Sequence, residues 1–267
     1  MKNNFTLLIL FLFSSIILSN DIVNDPSVKV GKFNNGLTYY IKNNQYPKDR
    51  LELLLVVNTG SVMEDDDQQG LAHFAEHMAF NGTGKYPQQE LVNYLESIGM
   101  KFGPDLNAYT SFDETVYMLQ LPTEDENVVD RGFEILSEWA YNISFDNKEI
   151  DKERGVIVEE WRLRRGAHQR IRDKKLPIYF KDSKYAERSP IGKMDIVENF
   201  SYDVIKRFYA DWYRPDLMAV VAVGDYDIDK IEAYINKYFY NNDNKKKIYS
   251  PTFLRKRVVE DVPIFDS

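Results

Sequence analysis

The 267-residue chain contains no cysteine. That excludes disulfides, thiolate metal ligands, a cysteine nucleophile and a lipoprotein anchor, but leaves the compartment open, since only paired cysteines would be informative. Histidine is nearly as scarce, with three in all, so imidazole chemistry has few places to reside. Positive charge is in deficit. A formal net charge of −8 argues against a general nucleic-acid binder. Apart from residues 5–18, no apolar run is long enough to approach a membrane span, and no internal repeat recurs. What remains, 43% hydrophobic and 14% aromatic, is ample for the core of one large domain or two small ones.

The apolar run near the start follows Lys2, and no acidic residue appears before Asp21. About fourteen residues suits the apolar region of a signal peptide and is short for a transmembrane helix. Residues 1–20 are therefore expected to direct export and to be removed after Ser19 or Asn20, although no A-x-A pattern marks the site. The alternative is an uncleaved N-terminus that anchors the chain to a membrane.

Two of the three histidines fall in His73-Phe74-Ala75-Glu76-His77. A helix over about 69–80 places His73, Glu76 and His77 within roughly one-third of its circumference, and Leu71, Phe74, Ala75 and Met78 on the other side. Two imidazoles one turn apart can share one tetrahedral metal ion, because zinc–nitrogen bonds are about 2.0–2.1 Å long. The carboxylate beside them can serve as a base toward metal-activated water. Asn81-Gly82 supplies a stop.

Strands are expected at 37–41, 51–57, 107–110, 115–121 and 217–223. Helices are expected from Pro87 to Ile98, over 124–141, from an Asp146 cap through Trp161, over 202–212 and after Asp227. On the helix capped by Asp146, Ile150, Glu153, Val156, Ile157 and Glu160 share one side, and Glu159 points elsewhere. Burying carboxylates on an apolar stripe is costly unless they are paired or bind a metal. Given a histidine helix elsewhere, Glu160 is the candidate third ligand, and Glu153 supports the ligands from behind. The basic run from Arg162 through Arg164, Arg165, Arg170, Arg172, Lys174 and Lys175 reads as a solvated helix face rather than a polyanion patch.

The chain resembles the insulinase/pitrilysin family of zinc metallopeptidases, the inverzincins, and within it the bacterial periplasmic zinc-protease branch. The resemblance runs from about Gly36 to Tyr238. It rests on Gly70-Leu-Ala-His-Phe-Ala-Glu-His-Met-Ala-Phe-Asn-Gly-Thr83, Asn107-Ala-Tyr-Thr-Ser-Phe-Asp-Glu-Thr-Val-Tyr117, Glu153-Arg-Gly-Val-Ile-Val-Glu-Glu-Trp161 and Val223-Gly-Asp225. It implies one zinc ion per chain held by His73, His77 and Glu160, with Glu76 as general base and Glu153 behind the ligands. Glu160 follows His77 by 83 positions (160 − 77), somewhat more than is usual in the family, which implies a small insertion. The strand at Asn107, Ala108 and Tyr109 resembles the family's edge strand, to which substrate adds.

The implied fold is α+β, a largely antiparallel sheet with helices packed on one face. The implied activity is zinc-dependent endopeptidase action on peptides or unfolded polypeptides, in the periplasm. Complete members close a clamshell whose second half contributes an arginine and a tyrosine. The expected partner is therefore a C-terminal half of the same enzyme or a homologous subunit. On this view residues 21–245 form the N-terminal zinc-peptidase domain, and 246–267 are a linker or the truncated start of the next domain. The alternatives are a non-catalytic scaffold subunit of the same family and a metal-storage module.

Overall fold

The computed structural model describes residues 25–88 and 90–240; the leader and the segment 246–267 lie outside them. In chain order the elements are β1 (Lys29–Lys32), β2 (Thr38–Asn43), β3 (Arg50–Val57), α1 (Leu71–Met78), α2 (Glu90–Ser97), β4 (Leu106–Thr110), β5 (Thr115–Pro122), α3 (Glu126–Tyr141), α4 (Asn147–Arg164), α5 (Ala167–Tyr179), α6 (Met194–Asn199), α7 (Tyr202–Trp212), β6 (Met218–Gly224) and α8 (Ile228–Phe239). The six strands form one sheet in the order β1-β2-β6-β3-β5-β4. Every pairing is antiparallel except β2 with β6. The fold is thus α+β, with a largely antiparallel sheet.

Alternation along the strands decides which face is covered. Leu51, Leu53, Leu55 and Val57 of β3 are fully buried. They align with Leu121, Leu119 and Tyr117 of β5 and with Ala222 and Val220 of β6. Against this face lie α3 and α8. The residues between them, such as Leu54, Met118 and Val221, stay half-buried on the other face. Each apolar side chain fully removed from water on the helix side contributes about 1.5–3 kcal/mol before entropy is counted.

Three local outcomes differ from the sequence pattern. β1 has no clear apolar alternation and takes strand form through its pairing with β2. α2 begins at Glu90 rather than at Pro87, because Gln88 adopts a positive φ of 51° that interrupts the helical path. α4 runs three residues beyond Trp161, and its Asp146 cap accepts hydrogen bonds from the amides of Lys148 and Glu149.

The turn before α6 presses on the start of α1. Gly192, with φ of 75°, lies so close that a Cβ there would sit 2.3 Å from the Gly70 Cα and 2.5 Å from the Gln69 carbonyl oxygen. Both obstacles are backbone, and neither can swing aside. Gly192→Ala should therefore cost about 2–3 kcal/mol, near the upper end of ordinary substitutions. A lowered midpoint in denaturant unfolding, with the slope unchanged, is the expected result.

Candidate metal centre

Nearly all of α1 is buried, and only His77 is half-exposed. It starts from Gly70, whose φ of 104° turns the chain into the helix. Its first amides are held from outside the helix. Glu64 Oε1 accepts from the Gly70 amide at 3.0 Å and from the Ala72 amide at 2.9 Å, as suits a carboxylate at a helix N-terminus. Full burial pushes the Glu64 carboxyl up to about 8, against the opposing pull of those amides and of Arg188.

On the far side of α1 the two imidazoles meet α4. His73 Nε2 and His77 Nε2 are 3.2 Å apart. Glu160 Oε2 is 3.5 Å from the first and 3.6 Å from the second. These three residues form the group among the described residues whose donor atoms could hold a metal ion. Ligands bonded at about 2.0–2.1 Å to a tetrahedral ion stand roughly 3.3–3.4 Å from one another. The observed triangle has the size of one face of such a tetrahedron. Glu160 Oε2 is also buried without a hydrogen-bond partner, which is unfavourable for a carboxylate oxygen unless a cation faces it. The donor set and its spacing fit zinc.

Surrounding groups fix the orientation of His77 and Glu160, whereas His73 Nδ1 is buried without a hydrogen-bond partner. Glu153 Oε1 lies 2.7 Å from His77 Nδ1, so that nitrogen carries the proton and Nε2 points its lone pair toward the centre. The other Glu153 oxygen accepts from Asn81 Nδ2. Glu160 Oε1 pairs with Arg164. Burial, followed by the charges of His77 and Arg164, pushes His73 down to about 3. Burial also opposes a charged His77, but the Glu153 hydrogen bond and the carboxylates of Glu153, Glu76 and Glu160 prevail and raise its pKa.

Glu76 shares this face without joining the triangle. Its Oε2 accepts from Thr110 Oγ1 at 2.7 Å. Burial raises its pKa, while Thr110 and His77 pull the other way. A cavity of about 240 Å³ is lined by His73, Glu76, His77, Glu160, Ala108 and Tyr109, among others. β4 is the last strand of the sheet, so Asn107, Ala108 and Tyr109 run along an open edge beside the cavity. Glu159 lies elsewhere, paired with Arg162 at 3.0 Å on the solvent side. The third histidine, His168, is exposed on α5. Val156, placed by the sequence pattern on the buried stripe, is half-exposed. It lies about 120° around the helix from Ile150 and about 100° from Ile157, at the margin of the contact with α1.

Four residues around the site were not read from the sequence as part of it. Asn81 was read only as part of a helix stop, although it follows His77 by one turn. Thr110 sits two positions beyond Ala108 on the inward side of β4. Arg164 follows Glu160 by one turn of α4. Glu64 belongs to an acidic loop in which nothing local sets it apart from Asp65, Asp66 or Asp67.

The chain belongs to the insulinase family, Peptidase family M16, whose sequence pattern matches residues 39–188. That of the Peptidase M16 inactive domain matches residues 199–264. Among its relatives is the probable zinc protease PqqL of Haemophilus influenzae, 45% identical over 233 residues, covering 85% of this chain and 25% of that protein. PqqL of Escherichia coli is 37% identical over 253 residues, covering 95% and 26%. The crystal structure of the first half of the periplasmic protease PqqL from Escherichia coli superposes with a TM-score of 0.82 at 38% identity, covering 86% of this chain and 49% of that one. The chain spans about a quarter of the length of the curated relatives it matches.

The opposite shifts of the two histidines make zinc uptake sensitive to pH. His73, pushed down to about 3, is already neutral near pH 7, whereas the raised pKa of His77 keeps its second proton to higher pH than an ordinary imidazole would, and wherever that proton is bound a metal must displace it. Zinc binding should therefore release protons, most at pH below the raised His77 pKa and progressively fewer as pH rises through it. Affinity should weaken as pH falls. Calorimetric titration in buffers of different ionisation enthalpy measures this release, and a constant proton count from pH 6 to 9 would contradict it.

Proposed function

We propose that this chain carries the catalytic centre of a zinc endopeptidase acting on peptides or unfolded polypeptides. The observation that carries the proposal is the triangle of His73 Nε2, His77 Nε2 and Glu160 Oε2, with the Glu76 carboxylate beside it on the same cavity wall. His73, His77 and Glu160 would hold the ion, and Glu153 would keep His77 turned toward it. A zinc ion in that position supplies Lewis acidity, which polarises a scissile carbonyl and brings the pKa of water to near 7.

The remaining steps fall to the chain's own groups. Thr110 engages one oxygen of Glu76 and leaves the other free for the attacking water. Glu76 would take that water's proton and pass it to the leaving amide nitrogen. Its burial raises its basicity toward the range in which such a base works best. The open edge of β4 at Asn107, Ala108 and Tyr109 would receive the peptide as an added strand, with backbone hydrogen bonds supplying affinity.

Two further parts of the proposal rest on the relatives and on the leader. The intact enzyme would include a further half, in cis or as a subunit, that closes over this cavity, excludes water and contacts the substrate carbonyl. The apolar run at residues 5–18 and the periplasmic relative together support export. Among the described residues, no helix is long and apolar enough to cross a membrane.

In the intact enzyme, Glu76→Gln should leave zinc content unchanged and lower peptide hydrolysis by about 10²–10⁴-fold. Glu160→Gln should abolish tight zinc binding, and Glu153→Gln should weaken it by about 10–100-fold. Elemental analysis alongside cleavage of a quenched peptide measures both effects. Full hydrolysis by Glu76→Gln would remove Glu76 from the role of base.

A further inference from the structure

A second cavity, of about 310 Å³, adjoins the metal centre, and its lining is basic. Thr110, Arg164, Pro190 and Ile191 line both cavities, so the two are parts of one groove. The second cavity forms where α4 gives way to α5, a junction made by Arg165 and Gly166. Trp161, Arg164 and Arg165 come from its first side and Arg172 from its second. The opposite wall is the turn at Ser189–Gly192, which the close approach of Gly192 to Gly70 fixes against the start of α1.

Besides three arginines the lining holds a single carboxylate, Asp173, which accepts a hydrogen bond from Gln169 Nε2. Arg164 is committed to Glu160. Arg165 lies 4.5 Å over the Trp161 ring, which steadies its position without neutralising its charge. Arg172 makes no ion pair or hydrogen bond with any described residue. Arg165 and Arg172 are both exposed and form no ion pair with a described residue, although Asp173 lines the same concave site. They present positive charge where the groove leaves the metal centre.

We propose that this cavity is a specificity subsite that receives an acidic side chain of the substrate, Asp or Glu, through Arg165 and Arg172. The proposal rests on the peptidase reading of the adjoining centre and names the substrate class that centre would prefer. Arg164 lies one turn of α4, about 5.4 Å, beyond Glu160, and Arg165 and Arg172 lie beyond it. An extended peptide advances about 3.3 Å per residue, so the acidic residue belongs within two or three positions of the scissile bond. Guanidinium groups suit this task because their planar donors match a carboxylate.

The test uses peptides of one sequence carrying Asp, Ala or Lys at a single position, scanned over three residues on each side of the scissile bond. Calorimetry measures their binding to the zinc-free intact enzyme, and cleavage is followed separately with zinc restored. Asp at one position should bind roughly 10–100-fold tighter than Ala there, and Lys more weakly than Ala. The preference should shrink as salt rises. Arg172→Ala should collapse the Asp-to-Ala ratio toward one, Arg172→Lys should retain part of it, and Arg172→Glu should invert it. Lys174→Ala, on the opposite side of α5, should leave the ratio unchanged. Equal affinities for Asp, Ala and Lys at every position would overturn the subsite even if all three peptides were cleaved. So would an equal loss of the ratio in Arg172→Ala and Lys174→Ala, because the preference would then arise from overall charge. An Arg172-dependent preference without any cleavage would uphold the subsite and remove the peptidase assignment instead.

Discussion

A polar group can be buried only if something in the interior answers it, and α1 is where this protein meets that constraint. The helix is covered on nearly every side, yet it carries His73, Glu76 and His77. The neighbouring elements supply partners one by one. Glu64 holds the first amides, Thr110 holds one oxygen of Glu76, and Glu153, itself held by Asn81, fixes the ring of His77. After those assignments His73 Nδ1 still has no hydrogen-bond partner, and the two Nε2 atoms and Glu160 Oε2 point at one another across 3.2–3.6 Å. Lone pairs converging at that distance repel unless a proton or a cation lies between them. The packing of the domain and the chemistry of its site are therefore the same problem, with a cation as its natural solution.

The elements that converge on α1 also explain the order of the fold. β4 and β5 bring Thr110 to Glu76, α4 brings Glu153 and Glu160 to the histidines, and the Ser189–Gly192 turn closes against Gly70. These segments are remote in sequence, so the site exists only when the sheet has formed and α4 has docked. β6 completes that sheet late in the chain by inserting between β2 and β3. Its parallel pairing with β2 and antiparallel pairing with β3 tie the first strands to the last part of the described chain.

Much of this was legible in the sequence because it follows from local periodicity. The angular sorting of residues 71–78 placed His73, Glu76 and His77 together, and the structure sets them on one face. The same reasoning separated Glu160 from Glu159, since Glu160 shares a side with Ile150 and Ile157. Periodicity failed where the outcome depends on a distant neighbour. β1 has too few apolar residues to announce itself, and Val156 looked internal because the wheel cannot say where the contact with α1 ends. The insertion of β6 between β2 and β3 leaves no local mark. The basic run from Arg162 to Lys175 was legible as solvated, which most of it is. Nothing in its spacing revealed that Arg164, Arg165 and Arg172 would share a groove with a turn near residue 190.

The distance in sequence between His77 and Glu160 has a mechanical meaning. A chain without cysteine has no covalent means of fastening two remote segments. On the proposed assignment, an ion shared by α1 and α4 would close a loop of 83 residues (160 − 77). In the chain-entropy treatment, a permanent cross-link over such a loop is worth roughly 4–5 kcal/mol, a model-dependent figure. That is a sizeable share of the roughly 5–15 kcal/mol by which domains of this kind exceed their unfolded state. Unlike a disulfide, this clasp is undone by protons rather than by reductants. Persistence of the folded domain would then report on the metal supply and acidity of its surroundings and be indifferent to their redox state.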